Sequence, residues 1–385
     1  MSDTVEAGPV ELTCSVAGQH ADSTDAEARF PDEALTAMRQ TGLLGLMAPA
    51  EFGGGDGTLT DLVTTTIELG KADMSVAMIF AMHCQQVATL ARYGGGRLRS
   101  EVLPAVAEGK MYLASVTTEA GKGGHLLTSE SPVDQAGDVL RIDRRAPIVT
   151  GGAHADGFLI TMAMPGATSP AQVDLLYAAR DQVTLEILGD WQPLGARATE
   201  SLPMRLVGAV PEWQVIGEHG GFRAVAAGFF APVGHIGWAA AWLGAAAGAY
   251  SRVLGYIRSA NGRKQFDPSS ELLLTRLADA RARLDVVHAL LRHTVSVVES
   301  AAELTTPSVQ LLVNALKTEA ATGCFAVADM LVELTGLRHG YLTGSPLRLE
   351  RTFRDLRSAS LNYGNDRLRL ANGSLALMDT GVRLA

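Results

Sequence analysis

Cysteine is scarce in this chain. Cys14, Cys84 and Cys324 are the only 3 in 385 residues, too few and too scattered for a disulfide framework or a cysteine-rich metal site. That scarcity points to a reducing compartment, and a cytoplasmic protein is expected. Aromatic residues make up 5% against 47% hydrophobic overall, so the core must be built mainly from aliphatic side chains. Runs of basic residues are missing too. With 32 Lys and Arg against 41 Asp and Glu, the net charge of -9 offers no phosphate-neutralising surface, which excludes an ordinary nucleic-acid binder. The opening MSDTVEAGPVELT has neither the basic nor the apolar region of a secretory signal. No metal-ligand spacing occurs among the 9 histidines, so no metal is expected.

Long apolar runs are represented by one candidate, AVAAGFFAPVGHIGWAAAWLGAAAGAY, from Ala224 to Tyr250. It is long enough to span a bilayer. It also holds Pro232, His235 and 5 glycines, which favours a small-residue helix buried among other helices over a membrane span.

The texture changes twice along the chain. From Asp32 to about Gly109 the apolar spacing is helical, interrupted by the loop PAEFGGGDG. The first thirty residues are polar and read as a loose arm. From Met111 to about Gly217, short apolar runs between Gly, Asp and Pro read as strands of an antiparallel sheet or barrel. Beyond Phe222 the pattern is helical again. The expected organisation is an arm at 1–30, helices at 31–110, a β domain at 111–221 and helices at 222–385, an α+β chain.

Several phrases, taken in order, resemble the acyl-CoA dehydrogenase family over nearly the whole chain after residue 30. They are GLLGLMAPAEFGGG (Gly42–Gly55), ASVTTEAGKGG, IVTGGAHAD, WQPLGARATES, GRKQF and ERTFRDLR. The resemblance implies an N-terminal helical domain, a central antiparallel β-barrel and a C-terminal helical bundle, with FAD, or alternatively FMN, as cofactor. By the family's pattern Thr118 would bond the flavin, Thr150 would lie near its N5 and Thr117 would sit beside them. The competing reading is that these are threonines chosen for β propensity. The Gly-rich turn EAGKGGH, with Gly123 and Gly124, would let backbone approach a pyrophosphate. Here the family's Ser-Asp is replaced by Gly124-His125, with Lys122 nearby as a point charge, and Ile148 replaces the aromatic residue that packs on the flavin. Arg263, Gln265 and Phe266 resemble the residues that reach a neighbouring subunit's FAD, which implies a homodimer or homotetramer. The alternative is a helix-end loop with a solvated Arg. ELTGLRHGY resembles a Gly-Gly-x-Gly-Tyr turn but keeps only Gly336 and Gly340, with Glu333 where a Gln is common.

The resemblance also raises the question of a base. A dehydrogenase of this family removes an α-proton with a carboxylate while hydride goes to the flavin. Counting from Arg354 in RDLRSASLNYGNDRLRL, the commonest base position falls on Tyr363, whose phenol is a poor base at neutral pH. The other known position, counted back from Gly244, falls on Gly234 with His235 next. Counted forward from Phe222 the register differs by two residues. GFFAPVGHIG holds no Asp or Glu in either case. Three readings compete: an oxygen-using monooxygenase or oxidase with His235 as acid or base, a dehydrogenase with an unusual base, and a flavin-bound or empty scaffold. His235 also reads as an ordinary core histidine. Tyr363, Asn362 and Asn365 read equally as packing or helix-end residues and as substrate or flavin contacts. The substrate would be an acyl thioester or a specialised metabolite. The partner would be a flavin reductase for an oxygenase, or an electron-transfer flavoprotein for a dehydrogenase.

Overall fold

The structure, a computed structural model, describes residues 7–121 and 125–381. Helices come first: α1 (Pro9–Glu27), α2 (Asp32–Gln40), α3 (Leu59–Ala72), α4 (Met74–Tyr93) and α5 (Gly96–Ala107). Helix α1 corrects the expected loose arm. Its inward stripe is Thr13, Ala17, Ala21 and Thr24, small residues whose hydropathy barely contrasts with their neighbours and so leaves little sequence signal. Arg197 closes its C-terminal end by donating from Nε to Asp25 O (2.7 Å) and from a terminal nitrogen to Ala26 O (3.2 Å), a cation on carbonyls the helix leaves unpaired.

Eight strands follow: β1 (Leu113–Val116), β2 (Asp134–Ala136), β3 (Val139–Val149), β4 (Gly157–Ala163), β5 (Val173–Ala179), β6 (Val183–Ile187), β7 (Leu202–Pro211) and β8 (Val215–Ile216). They make two four-stranded sheets, β1-β4-β5-β8 and β2-β3-β7-β6, within the expected central antiparallel β region. All pairs are antiparallel except β1 and β4, which run parallel with Leu113 opposite Gly157. Strand β4 is buried along its whole length, as its unbroken apolar run requires, whereas β3 alternates inward Leu140, Ile142, Arg144 and Ala146 with outward partners.

The helical C-terminal part starts with the short α6 (Phe222–Val225). A π-helical turn at Ala226–Phe230 leads into α7 (Ala231–Arg258), followed by α8 (Glu271–Ser300), α9 (Pro307–Gly336), α10 (Leu349–Arg357) and α11 (Asn365–Ala376). Two compact units result. One comprises 7–62, 79–121, 125–192 and 197–234, so most of the N-terminal helices cluster with the sheets. The other comprises 63–78, 193–196 and 235–385.

Among the described residues three helical stretches are long and apolar enough to cross a membrane by length and composition, but the most apolar window of Phe222–Arg258 is 67% buried within the protein. Its small residues explain why. In the second unit a methyl group on Gly70 would lie 2.7 Å from Ala241 O, one on Gly244 would overlap Ile67 O, and one on Gly248 would lie 2.8 Å from Lys71 Cα. Helices α3 and α7 thus meet backbone to backbone.

The phrase PLGA (Pro193–Ala196) docks on α10 in the same unit. Asp355 accepts from Ala196 N at 2.7 Å, and Gly195 lies so close to the Arg354 carbonyl that a Cβ would overlap it. Gly195→Ala should therefore cost at least about 3 kcal/mol of stability in a denaturant melt. In the first unit His154 stacks on Phe30 (centroids 4.1 Å apart) and bridges Asp32 (3.0 Å) and Glu200 (2.6 Å). Burial lowers its pKa, but the two carboxylates outweigh burial and the net shift is upward. A raised folded pKa means the stabilisation is complete below the unfolded value near 6.5 and fades as pH rises through the folded value. His154→Gln should accordingly destabilise by about 1 kcal/mol in mildly acidic buffer, with the gap narrowing in alkali.

Candidate active site

One face of α7 in the second unit carries His235, Trp238 and Trp242, spaced to lie above one another on a helix. The His235 ring lies 6.0 Å from Trp238 and 5.8 Å from the ring of Tyr363, which belongs to the segment joining α10 to α11. Tyr363 holds φ at +50°, a left-handed conformation uncommon for an aromatic residue. The conformation is fixed from behind by Lys317 of α9. Its fully buried ammonium donates to Ala359 O (3.1 Å), Tyr363 O (3.2 Å) and Asn365 Oδ1 (2.8 Å), and lies 5.5 Å over the Trp242 ring.

Burial, reinforced by the Lys317 charge, pushes the His235 pKa down to about 3, so the imidazole is neutral at physiological pH. It can accept a proton only weakly and has none to give as an imidazolium, which narrows the acid-or-base role expected from a pKa near 6.5. Burial raises the Tyr363 phenol, with Arg367 opposing, and the phenol remains a protonated donor. Four buried polar atoms of this cluster lack a protein partner: His235 Nδ1, Trp238 Nε1, Trp242 Nε1 and Asn365 Nδ2. No carboxylate among the described residues hydrogen-bonds or ion-pairs with His235, Tyr363 or Lys317.

Thr118 and Ile148 meet in the first unit. The Thr118 hydroxyl donates to Ile148 O (2.7 Å) and accepts from Ile148 N (3.3 Å), locking the chain beyond β1 to the end of β3. Thr117 lies next to it and is partly exposed. Thr150 shares a hydroxyl contact with Ser201 (3.0 Å). Ile148 leaves an apolar side chain 46% exposed beside these hydroxyls. Behind them Arg144, fully buried, donates to Thr118 O (2.7 Å), Thr161 O (3.0 Å) and Arg145 O. Gly123, Gly124 and Lys122 lie outside the described residues. The π turn is held by Gln85 of α4, which donates to Phe230 O at 2.6 Å.

At the far end of α7, Arg263 is exposed and makes no side-chain hydrogen bond among the described residues. Phe266 meets Tyr256 edge to face (6.3 Å, 87°), and Gln265 accepts from Tyr256 (3.2 Å) and His339 (3.0 Å). Gly336 adopts φ +66°, ψ −166°, a region open essentially to glycine alone, and so redirects the chain after α9. Glu333 has no side-chain hydrogen bond among the described residues.

The family models for the N-terminal and C-terminal domains of acyl-CoA dehydrogenases match residues 11–110 and 236–365. The chain belongs to the acyl-CoA dehydrogenase family of flavoprotein oxidoreductases. The probable acyl-CoA dehydrogenase FadE25 of Mycobacterium tuberculosis is 26% identical over 369 residues, covering 93% of this chain and 90% of the relative. Butyryl-CoA dehydrogenase from Megasphaera elsdenii shares the fold at a TM-score of 0.84 and 19% identity, over 96% of this chain and 97% of that one. FMN-bound TdsC from Paenibacillus sp. A11-2, a dibenzothiophene monooxygenase, shares it at 0.85 and 19%, over 96% and 97%.

The residues present fit the family's flavin. Exposed Ile148 beside locked Thr118 offers an apolar surface next to hydroxyls, and Arg263, unpaired among the described residues, supplies a cation close in sequence to Phe266. Sequence reasoning missed Lys317, Arg144, Gln85 and His339. A lone Lys in NALKTEAATGCF and an inward-phase Arg in VLRIDRRAP were the available signals. A folded pKa below the unfolded one makes His235 cost stability as pH falls from about 6.5 towards 3, with a limiting slope of about 1.4 kcal/mol per pH unit. His235→Leu should flatten this acid limb in pH-dependent unfolding, and proton NMR should show the His235 ring unprotonated at pH 5.

Proposed function

We propose that this family member is an oxygen-using oxidoreductase, a monooxygenase or oxidase acting on an acyl thioester or a specialised metabolite. FAD is its flavin and a homodimer or homotetramer its working form. The observation that carries this reading is the neutral His235–Tyr363 pair standing where an α,β-dehydrogenation would need a carboxylate. A histidine held at a pKa of about 3 is too weak a base for an α-proton, which speaks against a dehydrogenase that substitutes His235 for the missing acid.

The flavin supplies hydride or electron transfer and, when reduced, reaction with dioxygen. The chain's own residues do the rest. The Tyr363 hydroxyl stays protonated at neutral pH and donates a hydrogen bond to a polar substrate group. His235 holds one proton on its imidazole and offers the other nitrogen as an acceptor. Trp238 and Trp242 extend the same helix face with large apolar surfaces that exclude water. A monooxygenase would draw its electrons from a partner reductase, whereas an oxidase would take them from the substrate it oxidises.

Reducing the flavin anaerobically and mixing with oxygen in a stopped-flow instrument tests the reading. Reoxidation in two resolved absorbance phases is expected. Reduced flavin that is sluggish with oxygen and passes electrons to an electron-transfer flavoprotein would overturn it in favour of a dehydrogenase. Absence of any flavin binding would leave only a scaffold. His235→Ala should retain flavin and lose about tenfold in turnover, the loss of one hydrogen bond to the substrate. Arg263→Ala should weaken FAD about tenfold by fluorescence titration and leave FMN affinity unchanged, because FMN lacks the second phosphate and adenine that Arg263 and Phe266 would reach.

A further inference from the structure

We propose that Lys317 is the positioning residue of this site, its ammonium fixing the segment from Ala359 to Asn365 in the one conformation that brings the Tyr363 ring to His235. An ammonium has three N–H donors, and here all are engaged: Ala359 O at 3.1 Å, Tyr363 O at 3.2 Å and Asn365 Oδ1 at 2.8 Å. The acceptors lie at both ends of the segment, so one side chain clamps its entry and its exit. The segment's own backbone bonds are local, from Leu361 N and Asn362 N to Ser358 O and from Asn365 N to Ser360 O. None of them reaches another helix. Lys317 therefore ties the segment to α9, and it sits beneath the residue whose left-handed φ of +50° needs holding.

The clamp depends on charge. A neutral amine keeps two donors and gains a lone pair, so one of the three carbonyl-type oxygens would lose its bond and face that lone pair. Burial, with the Arg369 charge from α11 second, lowers the Lys317 pKa to about 7. The other groups facing it are the neutral His235 and the Trp242 ring from α7, the Ala359 and Tyr363 carbonyls from the connecting segment and the Asn365 amide from α11. No charge acts on it from α8 or α10 among the described residues. The clamp is complete on the acid side of neutrality and one bond short on the alkaline side. Retaining it opposes stability: an unfolded lysine keeps its proton to about 10.5, so proton linkage makes the fold more stable as pH rises from about 7 towards that value.

This inference rests on the reading that places His235 and Tyr363 in the active site, and its test uses the full-length protein without substrate. Hydrogen exchange of the peptide spanning 358–364, corrected for intrinsic rates, and tryptophan emission, which senses an ammonium over the Trp242 ring, are followed across neutral pH. Wild type should show a transition near pH 7 in both. Lys317→Met should exchange about tenfold faster in this peptide at acid-side pH and lose the transition. Asn365→Asp, which sets a carboxylate against the ammonium, should move the midpoint up by about one pH unit or more. A folded Lys317→Met protein with wild-type protection, or a midpoint that survives in it, overturns the proposal. If Lys317→Met does not fold, an Asn365→Asp midpoint unchanged from wild type overturns it instead. An intact transition in a protein whose reduced flavin ignores oxygen would count against the oxygen-using reading alone.

Discussion

The second unit depends on the close approach of α3 and α7. Gly70, Gly244 and Gly248 let the two backbones touch where any side chain would collide with a carbonyl or a Cα. That contact fixes both the position and the rotation of α7, and the rotation decides that His235, Trp238 and Trp242 share the face towards Tyr363. Alanine richness elsewhere in α7 follows from the same requirement. A helix enclosed on nearly all sides has no room for long side chains, and its hydrophobicity reflects burial among neighbouring helices.

In each unit a fully buried cation gathers backbone carbonyls. Arg144 collects those of Thr118, Thr161 and Arg145, and Lys317 those of Ala359 and Tyr363 with the Asn365 amide oxygen. Burying either charge is expensive, and removing either would leave carbonyls unpaired in a dry interior. The chain segments so gathered carry Thr118 in one unit and Tyr363 in the other. Irregular backbone that bears functional side chains is tied down by a charge, where regular helices and strands need only their own hydrogen bonds.

The order helices, strands, helices was legible because hydrophobic period changes sharply near Met111 and Phe222, and the resemblance in ASVTTEAGKGG or GRKQF supplied the family. Helix α1 was not legible, since alanine and threonine on its inward face give no contrast in hydropathy. The order of strands within the two sheets could not be read either, because strand runs do not declare their pairing, and the parallel pairing of β1 with β4 is a matter of topology. At the site, Tyr363 and His235 were found by what was missing around them. Lys317 stayed hidden because a single cation in a small-residue helix reads as a surface residue until the fold encloses it. The pKa of His235 was misjudged for a related reason: burial and the charge of Lys317 are properties of the folded interior.

The π turn at Ala226–Phe230 carries a consequence for how such a helix can diverge. A helix that closes one wider ring holds a residue more than its regular neighbours, and the residues beyond the turn are out of phase with those before it by about 100°. Gln85 satisfies the Phe230 carbonyl at the end of that turn, so the surplus residue is accommodated without an orphaned polar group. The turn is a stored frame shift. Losing or gaining a residue there would re-aim the side chains before the turn by about 100° while leaving His235 and every later contact of α7 in place, a change in length that alters one end of the helix and spares the other.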